Sequence, residues 1–259
     1  MSVDRRGFLM ATLATGGALV GAAPGIAAAP APGTATATPE RVVLCFGDSN
    51  TWGFVPRLEP GGTRFTRYGA AERWPRLLEA SLGQGVRVVE HGICGLVGAL
   101  PSGAARFEDG ASRAAIDHVR GLIAANWPID DWVVMLGTND LAYPELGEPS
   151  RIADGIAELI EAGLSSHAWF GGPAPRVTLV SPIPLGPAVT SLGVAEQGIA
   201  RSEGLAREFA ARARAKGWRS LDAGRAGALD TADGVHWSPA HQQRFAGLLA
   251  KTLAEPVPA

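Results

Sequence analysis

Apolar residues fall into two rhythms along this 259-residue chain. Short runs rich in β-branched side chains, Val42–Phe46, Val86–Glu90, Trp132–Leu136, Val177–Val180 and the weaker Ser220–Asp222, read as strands. The first, third and fourth are apolar at nearly consecutive positions, which predicts strands buried on both faces. Between the strands the period changes to that of a helix. Trp74, Leu77, Leu78 and Leu82 share one face behind Pro75, and Ile116, Val119 and Ile123 form a stripe with Ser112 as its expected cap. Ile152, Ile156, Leu159 and Ile160 make a third helix, and Leu205 with Phe209 a fourth. The last helix has the clearest start: Ser238 as cap, Pro239 at the first helical position, then Phe245, Leu248, Leu249 and Leu253 toward the core. Strands alternating with helices predict right-handed crossovers and an α/β fold, a three-layer α/β/α sandwich around a five-stranded parallel sheet of the flavodoxin-like kind. No internal repeat or second domain is expected.

Three stretches are too long and irregular for simple connections: 54–71, 96–111 and 183–198. In a parallel sheet the loops after the strands crowd the carboxyl edge, where ligands bind, so these three are expected to form the rim of a pocket.

Charge narrows the function classes. The formal net charge is −2 with both signs interspersed, so no basic field points to nucleic acid. Two cysteines, Cys45 and Cys94, make neither a disulfide framework nor a zinc pattern and are expected as buried free thiols. At the N-terminus, Arg5-Arg6-Gly7-Phe8-Leu9 opens a mildly apolar Ala/Gly-rich stretch ending near Ala27-Ala28-Ala29. That pattern predicts a twin-arginine export signal over residues 1–29, a linker over 30–40 and one domain over 41–255, with the product periplasmic or extracellular. Thr12, Thr15, Gly16, Gly17, Gly21 and Pro24 interrupt the apolar run and argue against a membrane anchor.

The chemistry-bearing residues lie just after the strands. Ser49 follows the first, Gly95 the second and Asn139 the third, while Asp233 and His236 follow the fifth. A Ser served by a His and an Asp is an acyl-transfer arrangement, and parallel strands deliver their ends to one edge even from far apart in sequence. Each residue alone has a plainer reading: Ser49 as a turn or cap residue, Asn139 as the start of an Asx turn, His236 as a surface histidine, Gly95 as a positive-φ position. A flavodoxin-like module binding an anion at Gly47–Gly53 is the rival from another class, but that loop lacks the Lys and Gly spacing of a phosphate loop. No Gly-x-Ser-x-Gly occurs, which argues against an α/β-hydrolase. No cluster of His, Cys and carboxylate has ligand spacing, so neither a metal nor another cofactor is expected.

Taken together, Gly47-Asp48-Ser49-Asn50-Thr51, Gly92-Ile93-Cys94-Gly95, Gly137-Thr138-Asn139-Asp140 and Asp233-Gly234-Val235-His236 resemble, in order, the four signature blocks of the SGNH (GDSL) hydrolase family. The first and third blocks are most similar to its arylesterase-like branch, some members of which also transfer acyl groups to alcohols. The resemblance implies Ser49 as nucleophile, His236 as base and Asp233 as its partner. It also implies an oxyanion hole from the Ser49 and Gly95 amides and the Asn139 side chain, with Asn50, Trp52 and Val235 as substrate-binding walls. Asn50, His91 and Cys94 depart from the commonest family residues. Asp48 and Asp140 are expected to tie loop amides, His118 and His167 to lie on the surface without partners, and His241 to be non-catalytic. The expected function is a secreted, cofactor-independent serine esterase for short-chain esters. Carbohydrate deacetylation and acyl transfer are the alternatives by the same mechanism. The partners are then small-molecule or carbohydrate esters, with no nucleic acid and no stable membrane anchor; natural ester and oligomeric state stay open.

Overall fold

The computed structural model describes residues 40–57 and 65–256. The export signal expected over 1–29 lies outside the described residues, as does all but the last residue of the linker expected over 30–40. Five strands form one fully parallel sheet: β1 (Arg41–Gly47), β2 (Val86–Gly92), β3 (Asp131–Met135), β4 (Arg176–Ser181) and β5 (Arg219–Asp222), in the order β2-β1-β3-β4-β5.

Alternate side chains of each strand feed two separate cores. Leu44 and Phe46 of β1, with Trp132 and Val134 of β3, pack under α3 (Ile116–Asn126), α4 (Pro149–Phe170) and α6 (Leu205–Ala215). Val43 and Cys45, with Val133 and Met135, pack under α2 (Trp74–Leu82) and α7 (Pro239–Ala254). Double-sided burial is thus why the apolar runs do not alternate, and the three-layer reading is correct. Among the described residues there are also two short α-helices, α1 (Ser49–Trp52) directly after β1 and α5 (Glu196–Ser202) before α6. Ser238 caps α7 by accepting from the His241 amide, with Pro239 in the first turn. No helix among the described residues is long and apolar enough to cross a membrane.

Three local expectations are corrected. Ser112 does not cap α3, because residues 106–112 fold back as a small hairpin and the Ser112 hydroxyl bonds Asp117 instead. His167 is not on the surface: it continues the buried stripe Ile156, Ile160, Gly163 on α4. His118 is partnered, its Nε2 lying 2.8 Å from the Ser112 carbonyl oxygen.

The amino edge of the sheet carries a charge cluster remote from the edge discussed below. Asp131, fully buried, meets Arg41 at 2.7 Å, Arg176 at 2.6 Å and Arg219 at 3.4 Å. Removing the carboxylate leaves three guanidinium groups facing one another without their anion. Asp131→Ala is therefore expected to lose about 3–5 kcal/mol in denaturant unfolding. Its turnover at temperatures well below melting should match the unsubstituted protein, because the cluster lies at the opposite end of the strands.

Candidate active site

β1 ends at Gly47 and α1 begins two residues later, so the chain turns at the carboxyl edge of the sheet. A side chain at Gly47 is excluded: a Cβ there would lie 2.1 Å from Thr51 Oγ1 and 2.7 Å from the Met135 carbonyl oxygen. Asp48 caps the short helix, its Oδ1 accepting from the Asn50 amide at 2.9 Å. That places the Ser49 hydroxyl 3.0 Å from His236 Nε2, and His236 Nδ1 2.8 Å from Asp233 Oδ2. Asp233 is completely buried and its other oxygen accepts from the amides of Val235 (3.1 Å) and His236 (3.0 Å). Phe54 stacks on the imidazole with ring centroids 4.4 Å apart.

Ser49, Gly95, Asn139 and His236 all line one open cleft of about 960 Å³. The Asn139 amide nitrogen donates one hydrogen to the Leu96 carbonyl at 3.0 Å, which fixes the carboxamide and leaves its second hydrogen for another acceptor. Gly95 sits at φ +77°, where a residue with a side chain is strained, and Arg113 holds its carbonyl oxygen through Nε at 3.3 Å and Nη2 at 3.2 Å. The amides of Ser49 and Gly95 donate to no protein acceptor among the described residues. The cleft thus combines a hydroxyl in hydrogen-bond contact with an imidazole and a set of N–H groups free to receive a negative oxygen.

The environment separates the carboxyl groups. For Asp233, burial alone would raise the pKa, but the bonds from His236 and from the two backbone amides outweigh it and hold the group below its ordinary value. Burial wins at the other two: Asp48 is pushed up to about 6 despite the Asn50 amide, and Asp140 to about 6 despite the Gly98 and Ala99 amides it ties at 2.9 and 2.7 Å. Cys94 is at the cleft wall as a free thiol raised to about 12 by desolvation, and Cys45 is a free, fully buried thiol that burial likewise raises well above its ordinary value.

A raised carboxyl binds its proton more tightly in the folded than in the unfolded state. The stability it contributes is present below about pH 4 and is lost as pH rises through about 6, an effect on the order of 2–3 kcal/mol for a shift from 3.8 to about 6. Asn has no such proton and retains the oxygen that caps Asn50. The melting temperature of Asp48→Asn minus that of the unsubstituted protein should therefore increase between pH 4 and pH 7; a difference independent of pH would contradict the assignment.

A model for the GDSL-like lipase/acylhydrolase family matches residues 45–244. The chain belongs to that family. Two solved structures show what this acylhydrolase is similar to. A carbohydrate acetylesterase from Sinorhizobium meliloti is 30% identical, with TM-score 0.72 over 83% of this chain and 99% of that one. The native aryl esterase of M. smegmatis is 29% identical, with TM-score 0.73 over 83% of this chain and 98% of that one. A search of curated proteins finds no match. Family and neighbours together make the protein an ester-hydrolysing enzyme.

Two of the three wall residues expected of this acylhydrolase are not walls. Asn50 is buried and absent from the cleft lining, and Val235 is buried in the core; the two bond each other, Asn50 Nδ2 donating to the Val235 carbonyl at 3.2 Å. A polar residue beside the nucleophile faces inward here because a buried carbonyl from another loop needs a donor. Trp52 does line the cleft, with the Arg67 guanidinium 5.1 Å from its ring centroid. His241 is buried away from the cleft, Nδ1 accepting from Arg244 at 3.2 Å. Sequence reasoning missed Phe54, Phe65, Phe107 and Arg113, which build much of the cleft. All four lie in or just beyond the irregular stretches, where no periodicity marks an inward-facing position. Among the described residues no group of three or more His, Cys, Asp or Glu is placed to hold a metal ion.

Proposed function

We propose that this acylhydrolase is an exported serine esterase that cleaves short-chain carboxylic esters through an acyl-enzyme on Ser49. The continuous contact from Ser49 Oγ to His236 Nε2 (3.0 Å) and from His236 Nδ1 to Asp233 Oδ2 (2.8 Å) carries the reading. Ser49 Oγ attacks the ester carbonyl while His236 Nε2 takes its proton, and Asp233 steadies the imidazolium. The oxygen that becomes negative accepts from the Ser49 and Gly95 amides and from Asn139. Collapse breaks the bond to the alcohol, which leaves with the proton from His236. Water then attacks the acyl-enzyme by the reverse proton path and releases the acid and free Ser49. An alcohol in place of water gives acyl transfer, a second fate of the same intermediate.

The cleft supports a second reading, removal of acyl groups from carbohydrate. It is open, its rim carries Arg57, Arg106, Glu108 and Asp109, and one similar structure is a carbohydrate acetylesterase. Hydrolysis rates on aryl esters of increasing acyl length and on acetylated sugars distinguish these readings. The expected outcome is highest kcat/KM on acetyl or propionyl aryl esters. Preference for long acyl chains would reject the first reading, and a large advantage for acetylated sugars would favour the second. Export by the twin-arginine route rests on Arg5-Arg6-Gly7-Phe8-Leu9. Changing Arg5 and Arg6 together to Lys should retain the protein in the cytoplasm, measured by fractionation.

A further inference from the structure

The peptide unit joining Val235 to His236 is held at both of its polar ends. Its carbonyl oxygen accepts from Asn50 Nδ2 at 3.2 Å, and its N–H donates to Asp233 Oδ1 at 3.0 Å. This unit carries the Cα of His236, so its orientation decides where the imidazole points. Asn50 is the residue after Ser49 on α1. One hydrogen bond therefore links the backbone bearing the imidazole to the helix bearing the hydroxyl, across 185 residues of sequence.

The residue that supplies this donor is itself fixed. It is held through its backbone: the Asn50 main-chain N–H donates to Asp48 Oδ1 at 2.9 Å and its main-chain carbonyl accepts from Gln242 Nε2 at 3.4 Å, while Oδ1 is buried without a partner among the described residues. Gln242 in turn takes the Trp74 amide at the start of α2 at 3.0 Å, so α1, α2 and α7 share one buried network. The loop it holds turns at Gly234, two residues before His236, at φ +69°, a conformation open to glycine without strain, and the Gly234 carbonyl accepts from the Gly186 amide at 2.8 Å.

We propose that Asn50 is a positioning residue: by clamping the Val235 carbonyl it sets the separation between the Ser49 hydroxyl and His236. The proposal rests on the Ser49–His236–Asp233 reading and adds to it the residue that holds the two halves in register. Asn50 touches neither the cleft nor the reacting atoms, so its loss acts through geometry. Proton transfer across 3.0 Å is sensitive to small displacements, and an error of about 1 Å costs about 10²-fold. Ester binding depends on cleft walls that Asn50 does not join. The signature is thus a fall in kcat without a matching change in KM.

The test compares the mature protein with its Asn50→Leu, Asn50→Asp and Ser49→Ala variants on an aryl acetate, well below each melting temperature. Leu removes the donor at similar size, and Asp replaces it with an acceptor. Both are expected to lower kcat about 10- to 100-fold, with KM within about 2-fold. A kcat within about 2-fold of the unsubstituted protein, or a change confined to KM, overturns the proposal. If neither Asn50 variant folds, NMR of the unsubstituted protein decides through the scalar coupling across the hydrogen bond from Asn50 Nδ2 to the Val235 carbonyl carbon. Its presence supports the clamp and its absence overturns it. Turnover retained by Ser49→Ala would instead remove the underlying catalytic reading, whatever the Asn50 variants do.

Discussion

Ser49→Ala is expected to reduce kcat on an aryl acetate by roughly 10⁵–10⁶-fold, the loss typical of removing the nucleophile from a cooperating triad. The Ser49 hydroxyl is the atom that meets His236 Nε2 at 3.0 Å at the floor of the cleft, and no neighbouring group in that position can replace it. Cys94, the nearest alternative by chemistry, is held as a neutral thiol with its pKa raised to about 12 and is a poor nucleophile at neutral pH. The fold should hardly notice the change. One hydroxyl with one hydrogen bond is worth about 1 kcal/mol, so melting should shift by only a few degrees. Two measurements separate the outcomes: steady-state hydrolysis, and covalent labelling by a fluorophosphonate followed by intact mass. The unsubstituted protein should gain one adduct and the variant none. Turnover within tenfold of the unsubstituted rate would remove Ser49 from the mechanism.

The layers of the fold were legible for a physical reason. Strands covered on both faces must be apolar at consecutive positions, and β1, β3 and β4 are, so each was located to within about a residue of its observed limits. The same logic placed Ser49, Gly95, Asn139 and the Asp233/His236 pair at one edge, because a parallel sheet leaves them nowhere else to go. What failed depends on contacts between distant segments. Asn50 looked like a rim residue because its neighbour is the nucleophile, yet its direction is dictated by a carbonyl at Val235. The hairpin that brings Phe107 and Arg113 to the cleft is set by the bridge from Arg106 to Ser112, and no periodicity announces it. For His167 the signal did exist: the spacing Ile156, Ile160, Gly163, His167 is that of a single helical face, and residue type alone hid it.

The second large effect is expected at Asp233, where the surrounding amides make the result of an isosteric change definite. Oδ1 accepts from the amides of Val235 and His236, so in Asp233→Asn that position must remain the carbonyl oxygen. The new amide nitrogen is then forced to the Oδ2 position, 2.8 Å from His236 Nδ1. It can only donate, so Nδ1 must accept and the ring proton moves to Nε2. An imidazole protonated at Nε2 cannot take the Ser49 proton across their 3.0 Å contact. The geometry survives while the base is disabled, and kcat should fall by about 10⁴-fold. Nitrogen NMR of labelled His236 checks the cause directly, with the proton expected on Nδ1 in the unsubstituted protein and on Nε2 in the variant. A loss of less than about tenfold, or an unchanged tautomer, would mean that Asp233 serves only to hold the loop.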